Sequence, residues 1–355
     1  MTAGGSAPYL PLGTDLGRAW DALGRLGTLW DGERRRRDGA AGMEEERKGF
    51  WLGVAAYGAW GLFPLYWPLL KPSGAGEILA NRMVWSLVAV VVILAWQRHW
   101  DWIRPLLRQP RRVALVAAAA AAISVNWGMY IWGVNSGQVV QTSLGYFINP
   151  LVTIAFGVLF YRERLRTAQW VAVGVGALAV AVLSVGYGHV PWLALTLAFS
   201  FGIYGLIKKK VGLSGLESLA GETAFQFLPA LGYLAYLAVD GTGTLGRTVP
   251  GSYGWGHSVL LLLCGVVTAL PLLAFGAAAV RVTLTTLGLL QYLAPVFQFA
   301  LGVLVFHERM SGAAWAGFGL VWSALIVLTW DGVRQARRGQ AVVADRAPQA
   351  AVADL

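Results

Sequence analysis

Between Asn126 and Pro150 the chain reads NWGMYIWGVNSGQVVQTSLGYFINP, with no charge but with amides at Asn126, Asn135, Gln138, Gln141 and Asn149 among five aromatic rings. In hydrocarbon an unpaired amide is costly, so each of these groups must face a partner, water or a ligand. Asn126 and Tyr130 lie one helical turn apart with Trp127 beside them. Gln141, Tyr146 and Asn149 follow on the next segment, and Gln291, Tyr292 and Gln298 recur around Pro295. Together these side chains have the chemistry of an amphipathic cavity for a small molecule with rings or amides and little net charge. The competing role is structural: amides and hydroxyls also join membrane helices, at about 0.6–2 kcal/mol each. Pro150 and Pro295 lack the helical N–H and crowd the carbonyl four residues back, so both are expected to break their helices and free acceptors.

Two ionisable residues stand inside apolar runs, Arg82 and Glu222. They enter their segments from opposite sides, each roughly 7 Å deep at 1.5 Å per residue, and so are not expected to pair. Residues of this kind are candidates for ion coupling, with snorkelling structural roles as the alternative. Glu222 is the candidate proton-coupling carboxylate. Arg82 has Glu77, Glu308 or carbonyls freed by the prolines as expected partners.

The elements that position these groups follow from composition. At 57% hydrophobic and 13% charged residues, with a mean hydropathy of +0.57, there is too little polar material to clothe a water-soluble globule of 355 residues. Ten apolar runs are each long enough to cross about 30 Å of hydrocarbon as a helix. They fall near 50–70, 77–96, 113–134, 138–161, 168–186, 190–207, 219–239, 258–279, 284–306 and 313–330. The fold class is therefore an all-α polytopic membrane protein of ten transmembrane helices. Residues 1–47 read as a cytoplasmic extension without stable structure, with Met43 as an alternative start, and 333–355 as a disordered cytoplasmic tail. With the N-terminus inside, the inner segments hold 24 Lys and Arg and the outer loops three, which places both termini in the cytoplasm of a plasma-membrane protein. The net charge of +10 thus reflects orientation and anionic lipid, and nucleic acid is not an expected partner.

The same residues argue against catalysis. His99, His189, His257 and His307 all fall in predicted loops, Cys264 stands alone, and no phosphate-binding loop with its lysine is present. No catalytic residue, metal site or cofactor is expected.

Displaced by 145 positions, the chain matches itself. Pro150 falls on Pro295, Gly157 on Gly302, Glu163 and Arg164 on Glu308 and Arg309, and Trp170 on Trp315, with 14 identities across the 40 positions of 144–183. Two repeats of five helices result, 48–186 and 187–332, and an odd number of spans inverts the second relative to the first. Inverted repeats are a hallmark of secondary transporters, whose sites lie between the halves. The Glu-Arg pairs read as helix-end anchors, and Ala172, Gly176, Gly312 and Ala316 as close-packing positions. LGYFINPLVTIAFGVLFYRERL and LGLLQYLAPVFQFALGVLVFHERM resemble the paired signature of the EamA family within the drug/metabolite transporter superfamily. AYGAWGLFP, EILANRMVWS, NWGMYIWGVNSG, LAFSFGIYGLIKKK and GVVTALPLLAFGAAA, in that order, resemble its RarD branch. The resemblance covers about 48–335 and implies a ten-helix inner-membrane permease for a small-molecule substrate, working by alternating access, with export favoured over uptake. It implies neither a substrate nor an oligomeric state. A lipid scramblase or another non-transporting membrane protein is the remaining alternative.

Overall fold

The computed structural model describes residues 43–162, 164–248, 250–251 and 253–353. Helix α1 spans 43–66 and ends in a 3₁₀ turn at Trp67–Leu70. There follow α2 (Ala75–Gln97), the short α3 (Ile103–Leu107), α4 (Pro110–Asn135), α5 (Val139–Tyr161) and α6 (Thr167–Tyr187). The second half contains α7 (Trp192–Val211), α8 (Gly215–Asp240), α9 (Trp255–Ala279), α10 (Leu284–Leu290), α11 (Leu293–Ala300) with a π turn at Leu301–Val305, and α12 (Gly312–Ala353). The ten predicted runs each coincide with one long helix, except that the ninth is divided between α10, α11 and the π turn. Seven of the ten are long and apolar enough to cross a membrane by length and composition alone. The other three are α1, rich in Gly, Trp and Tyr; α7, which ends in Lys208, Lys209 and Lys210; and α8, which carries Glu217, Glu222 and Gln226. The outward faces match the membrane reading: Trp96, Val185 and Val239 are among the large apolar side chains left exposed.

Helix pairing displays the inverted repeat. α2 packs on α8, α5 on α11 and α6 on α12, so each helix meets its own counterpart in the other half, as a two-fold relation requires. α7 packs on α4 and α5, while α1 meets their counterparts: Tyr57 and Trp60 touch Phe275 of α9, and Gly61 lies against Phe297 of α11. At the α2–α9 crossing a Cβ on Gly265 would fall 2.2 Å from the Trp85 backbone, so only glycine permits that approach. α6 and α12 close similarly through Gly186 against Ala313 and Gly317 against Leu183, while Gly176 brings α6 against Leu151 of α5. Gly312 and Ala316, expected in this role, face open space, one residue out of register with the contact made by Ala313 and Gly317.

Three further expectations change. α5 runs unbroken through Pro150. In the other half the break precedes Pro295, at Gln291 and Tyr292, and Gln291 carries the carbonyl that the Pro295 ring would crowd. α12 continues helically to Ala353 where a disordered tail was expected. Of the N-terminal extension, 43–47 already belong to α1; the remainder, like Glu163, lies outside the described residues.

Candidate functional site

The α4–α5 turn, the end of α1, the end of α8 and the start of α9 share one face of the bundle, called here the α4–α5 face. The α7–α8 turn lies on the opposite face. Measured at 1.5 Å per residue from the helix ends, Arg82, Trp127, Asn126 and Tyr146 all sit roughly 10–14 Å below the α4–α5 face. Asn126 is fully buried and its amide donates to the Leu197 carbonyl of α7 at 2.9 Å and to Ser200 Oγ at 3.1 Å. Tyr146 OH of α5 donates to Asn126 Oδ1 at 3.1 Å, and its ring meets Tyr130 edge-on at 5.6 Å. Four of the expected binding residues, Asn126, Trp127, Tyr130 and Tyr146, are thus gathered where α4, α5 and α7 meet.

Arg82 completes this cluster from α2. It is 4% exposed, and its guanidinium carbon stands 3.9 Å from the centre of the Trp127 ring, with Trp67 at 5.4 Å and Phe63 at 5.8 Å. Neither expected acidic partner reaches it. Glu77 instead accepts from the backbone and hydroxyl of Thr244, and Glu308 accepts from Val139 N and Val140 N at the start of α5.

Below the cluster a polar column continues along α7 and α8, because Ser200, Tyr204 and Lys208 recur every four residues, as do Ser218, Glu222 and Gln226. Glu222 is 2% exposed and accepts from Ser218 Oγ at 2.6 Å and Tyr204 OH at 3.1 Å, with Lys208 Nζ at 3.6 Å. Lys208 also donates to Tyr204. Glu222 does not meet Arg82, as its depth in the sequence required. It is, however, an ion-paired carboxylate rather than a lone one. Sequence reading passed over Lys208 because it was counted with the helix-end cations; its four-residue spacing from Tyr204 was the available signal.

The other expected site residues lie apart. Gln298 donates to the Trp60 carbonyl of α1 at 3.2 Å. Tyr292 lines an open apolar groove of about 610 Å³ with Phe147, Trp322 and Trp330. Gln141 and Asn149 each keep a buried side-chain oxygen without a partner, and Gln291 is half-buried at the α10–α11 break.

Around the site the two halves are tied on both faces. On the α4–α5 face the ties are buried: Ser73 Oγ lies 2.9 Å and Thr244 Oγ1 3.0 Å from His257 Nε2, and the Glu308 carboxylate caps α5. His257 therefore belongs to the first turn of α9 and not to a loop, and it does approach a serine. Among the described residues its Nδ1 has no hydrogen-bond partner. On the α7–α8 face the ties are solvent-exposed ion pairs, Arg166 with Asp331 and Arg281 with Glu45, along with Arg112 on the Val211 carbonyl.

Comparison with known proteins fits this architecture. The pattern of the EamA-like transporter family matches residues 47–185. Protein RarD of Streptomyces exfoliatus is 61% identical over 304 residues, 86% of this chain and 95% of that protein. The chain belongs to the RarD branch of the EamA family. An uncharacterized transporter of Bacillus subtilis, YojE, is 41% identical over 82% of this chain and 97% of its own length. A solved structure described only as a crystal structure of protein superposes with a TM-score of 0.52 at 16% identity, covering 79% of this chain and 97% of that one, and so shares the fold. An EamA-family chain is a membrane permease by family.

Proposed function

We propose that this chain is a secondary permease that moves a small organic molecule across the bacterial inner membrane by alternating access around the Asn126–Tyr146–Arg82 cluster. The observation that carries this reading is the buried polar column between α4, α5, α7 and α8, inside two inverted halves of an EamA-family chain. In this conformation the α4–α5 face is closed by buried hydrogen bonds and the opposite face by exposed ion pairs, which exchange more readily with water. Opening toward the α4–α5 face therefore requires the Ser73–Thr244–His257 and Glu308 ties to separate. The lysine and arginine distribution makes that face the outer one, with both termini cytoplasmic. Export is the direction favoured by resemblance, and the Glu222–Lys208–Tyr204 group is the candidate proton relay.

The test is flux of labelled small metabolites into proteoliposomes containing the purified chain, with and without a proton gradient. Saturable flux that Asn126→Ala reduces supports the proposal. Flux equal to that of empty vesicles across the panel overturns it. A gradient-dependent flux unchanged in Glu222→Gln removes that carboxylate from coupling. One observation favours a second reading, lipid movement: the groove of about 610 Å³ lined by Phe147, Tyr292 and Trp330 is open and apolar. Scrambling of fluorescent lipids in the same vesicles separates the two.

A further inference from the structure

Arg82 is a buried cation without an anion. Among the described residues no carboxylate lies within ion-pair distance of it, and its buried Nε has no hydrogen-bond partner. Lying about seven residues inside α2 and only 4% exposed, it is too deep to reach the membrane surface by extending its side chain. Aromatic faces offset part of the cost of burying such a charge, but they accept no hydrogen bonds along the edge of the guanidinium.

The groups around it are of one kind. Arg82 Nε, the Trp67 indole N–H and the Tyr130 hydroxyl are all buried and all lack a partner. Trp67 is one of the rings against the guanidinium, and Tyr130 and Tyr146 lie within its electrostatic range. Tyr146 already gives its proton to Asn126. The shell therefore presents N–H and O–H groups that can all donate, and what it lacks is an anionic acceptor. Stacking of the guanidinium face on Trp127 leaves its edge as the direction for bonding, and a planar edge of paired N–H groups matches the two oxygens of a carboxylate.

We propose that Arg82 is the anion-binding residue of the transport site and that the transported molecule is a small organic carboxylate with an apolar or aromatic body. The carboxylate meets the guanidinium edge, with Tyr130 and Trp67 as further donors, and the body lies among Trp127, Tyr146 and Phe63. It differs from the substrate of little net charge that the amides and rings suggest in sequence. It rests on the permease reading for the route the molecule takes, but not for its binding.

The test uses the full chain in lipid nanodiscs and matched probes that differ only in charge: 3-phenylpropanoate against 3-phenylpropanamide, and indole-3-acetate against indole-3-acetamide. Binding is read by calorimetry. We expect each carboxylate to bind about 10- to 100-fold more tightly than its amide, the range that charge-assisted bonds supply. Arg82→Gln should erase the preference, and Arg82→Lys should restore part of it. The melting temperature is the second readout. Removing a buried charge that has no partner should leave Arg82→Met at least as stable as wild type, whereas a structural arginine would leave it less stable. Equal or absent binding of acid and amide by folded protein overturns the proposal, as does a preference that survives Arg82→Gln. Carboxylate preference without flux in proteoliposomes would keep the anion site and sink the permease reading. Flux of the amides equal to that of the acids would do the reverse.

Discussion

Replacing Glu308 by alanine removes a carboxylate that sits in the segment between α11 and α12 and caps a helix of the other half. Its two oxygens accept from Val139 N at 2.5 Å and Val140 N at 2.9 Å, and both valines are buried, so no water would replace the acceptor. A hydrogen bond to a charged acceptor contributes roughly 1.5–3 kcal/mol, and a negative charge at a helix N-terminus adds about 0.3–1 kcal/mol. Burial works against this sum. It raises the Glu308 carboxyl above its ordinary value, with the Val140 and Val139 N–H groups pulling the other way. The net effect therefore falls below that sum, and Glu308→Ala should lower the unfolding free energy by about 2–3 kcal/mol. Glu308→Gln keeps one acceptor and should lose about half as much. Equilibrium unfolding in mixed micelles, followed by tryptophan fluorescence, measures both. A loss below about 0.5 kcal/mol for alanine, the range of an ordinary surface substitution, would refute the capping argument. So would a glutamine variant as damaged as alanine. The pH dependence supplies a sign check: a carboxyl raised in the folded state binds its proton more tightly there. Its contribution to stability is therefore largest at low pH and declines as pH rises from the ordinary carboxylate range through the raised value. The glutamine variant should lack that decline.

Gly265→Ala should force α2 and α9 apart at the Trp85 backbone and cost about 1–3 kcal/mol, read as a lower melting temperature and a broader gel-filtration peak. Ser73→Ala and His257→Ala remove the same bond, so a double-mutant cycle should show a coupling of about 0.5–3 kcal/mol, and additive losses would deny the tie. Glu217 precedes the membrane part of α8. Burial raises its carboxyl, but the Ser214 N–H and His99 outweigh that and hold it below its ordinary value. Its contribution is therefore present above the ordinary carboxylate range and is lost as pH falls through the lowered value, and Glu217→Gln should flatten that acid loss in thermal melts.

Ten helices, their inversion and the four residues that meet at the site were legible because each depends on local pattern. Apolar length decides which segments cross a bilayer, an odd number of spans inverts a repeat, and a four-residue spacing puts Asn126 and Tyr130 on one face of α4. The depth of Arg82 and Glu222 was legible for the same reason, since rise per residue is fixed along a helix. The fate of the prolines was not. Pro150 and Pro295 are equivalent in sequence, yet α5 absorbs the first while the chain breaks before the second.

What each polar group touches was also beyond local pattern. Glu308 reads as a helix-end anchor and becomes a cap across the halves, His257 reads as a loop residue and becomes part of a buried tie, and Glu222 finds Lys208 from another helix. Arg82 shows the limit most clearly: its sequence establishes that a charge lies within the membrane, but only the packing of α1, α2 and α4 surrounds it with rings and donors and leaves it without a carboxylate partner among the described residues. Secondary structure follows from periodicity and solvent, which act along the chain. Partners follow from which helix faces are brought within hydrogen-bond reach, and that is fixed only when the helices assemble.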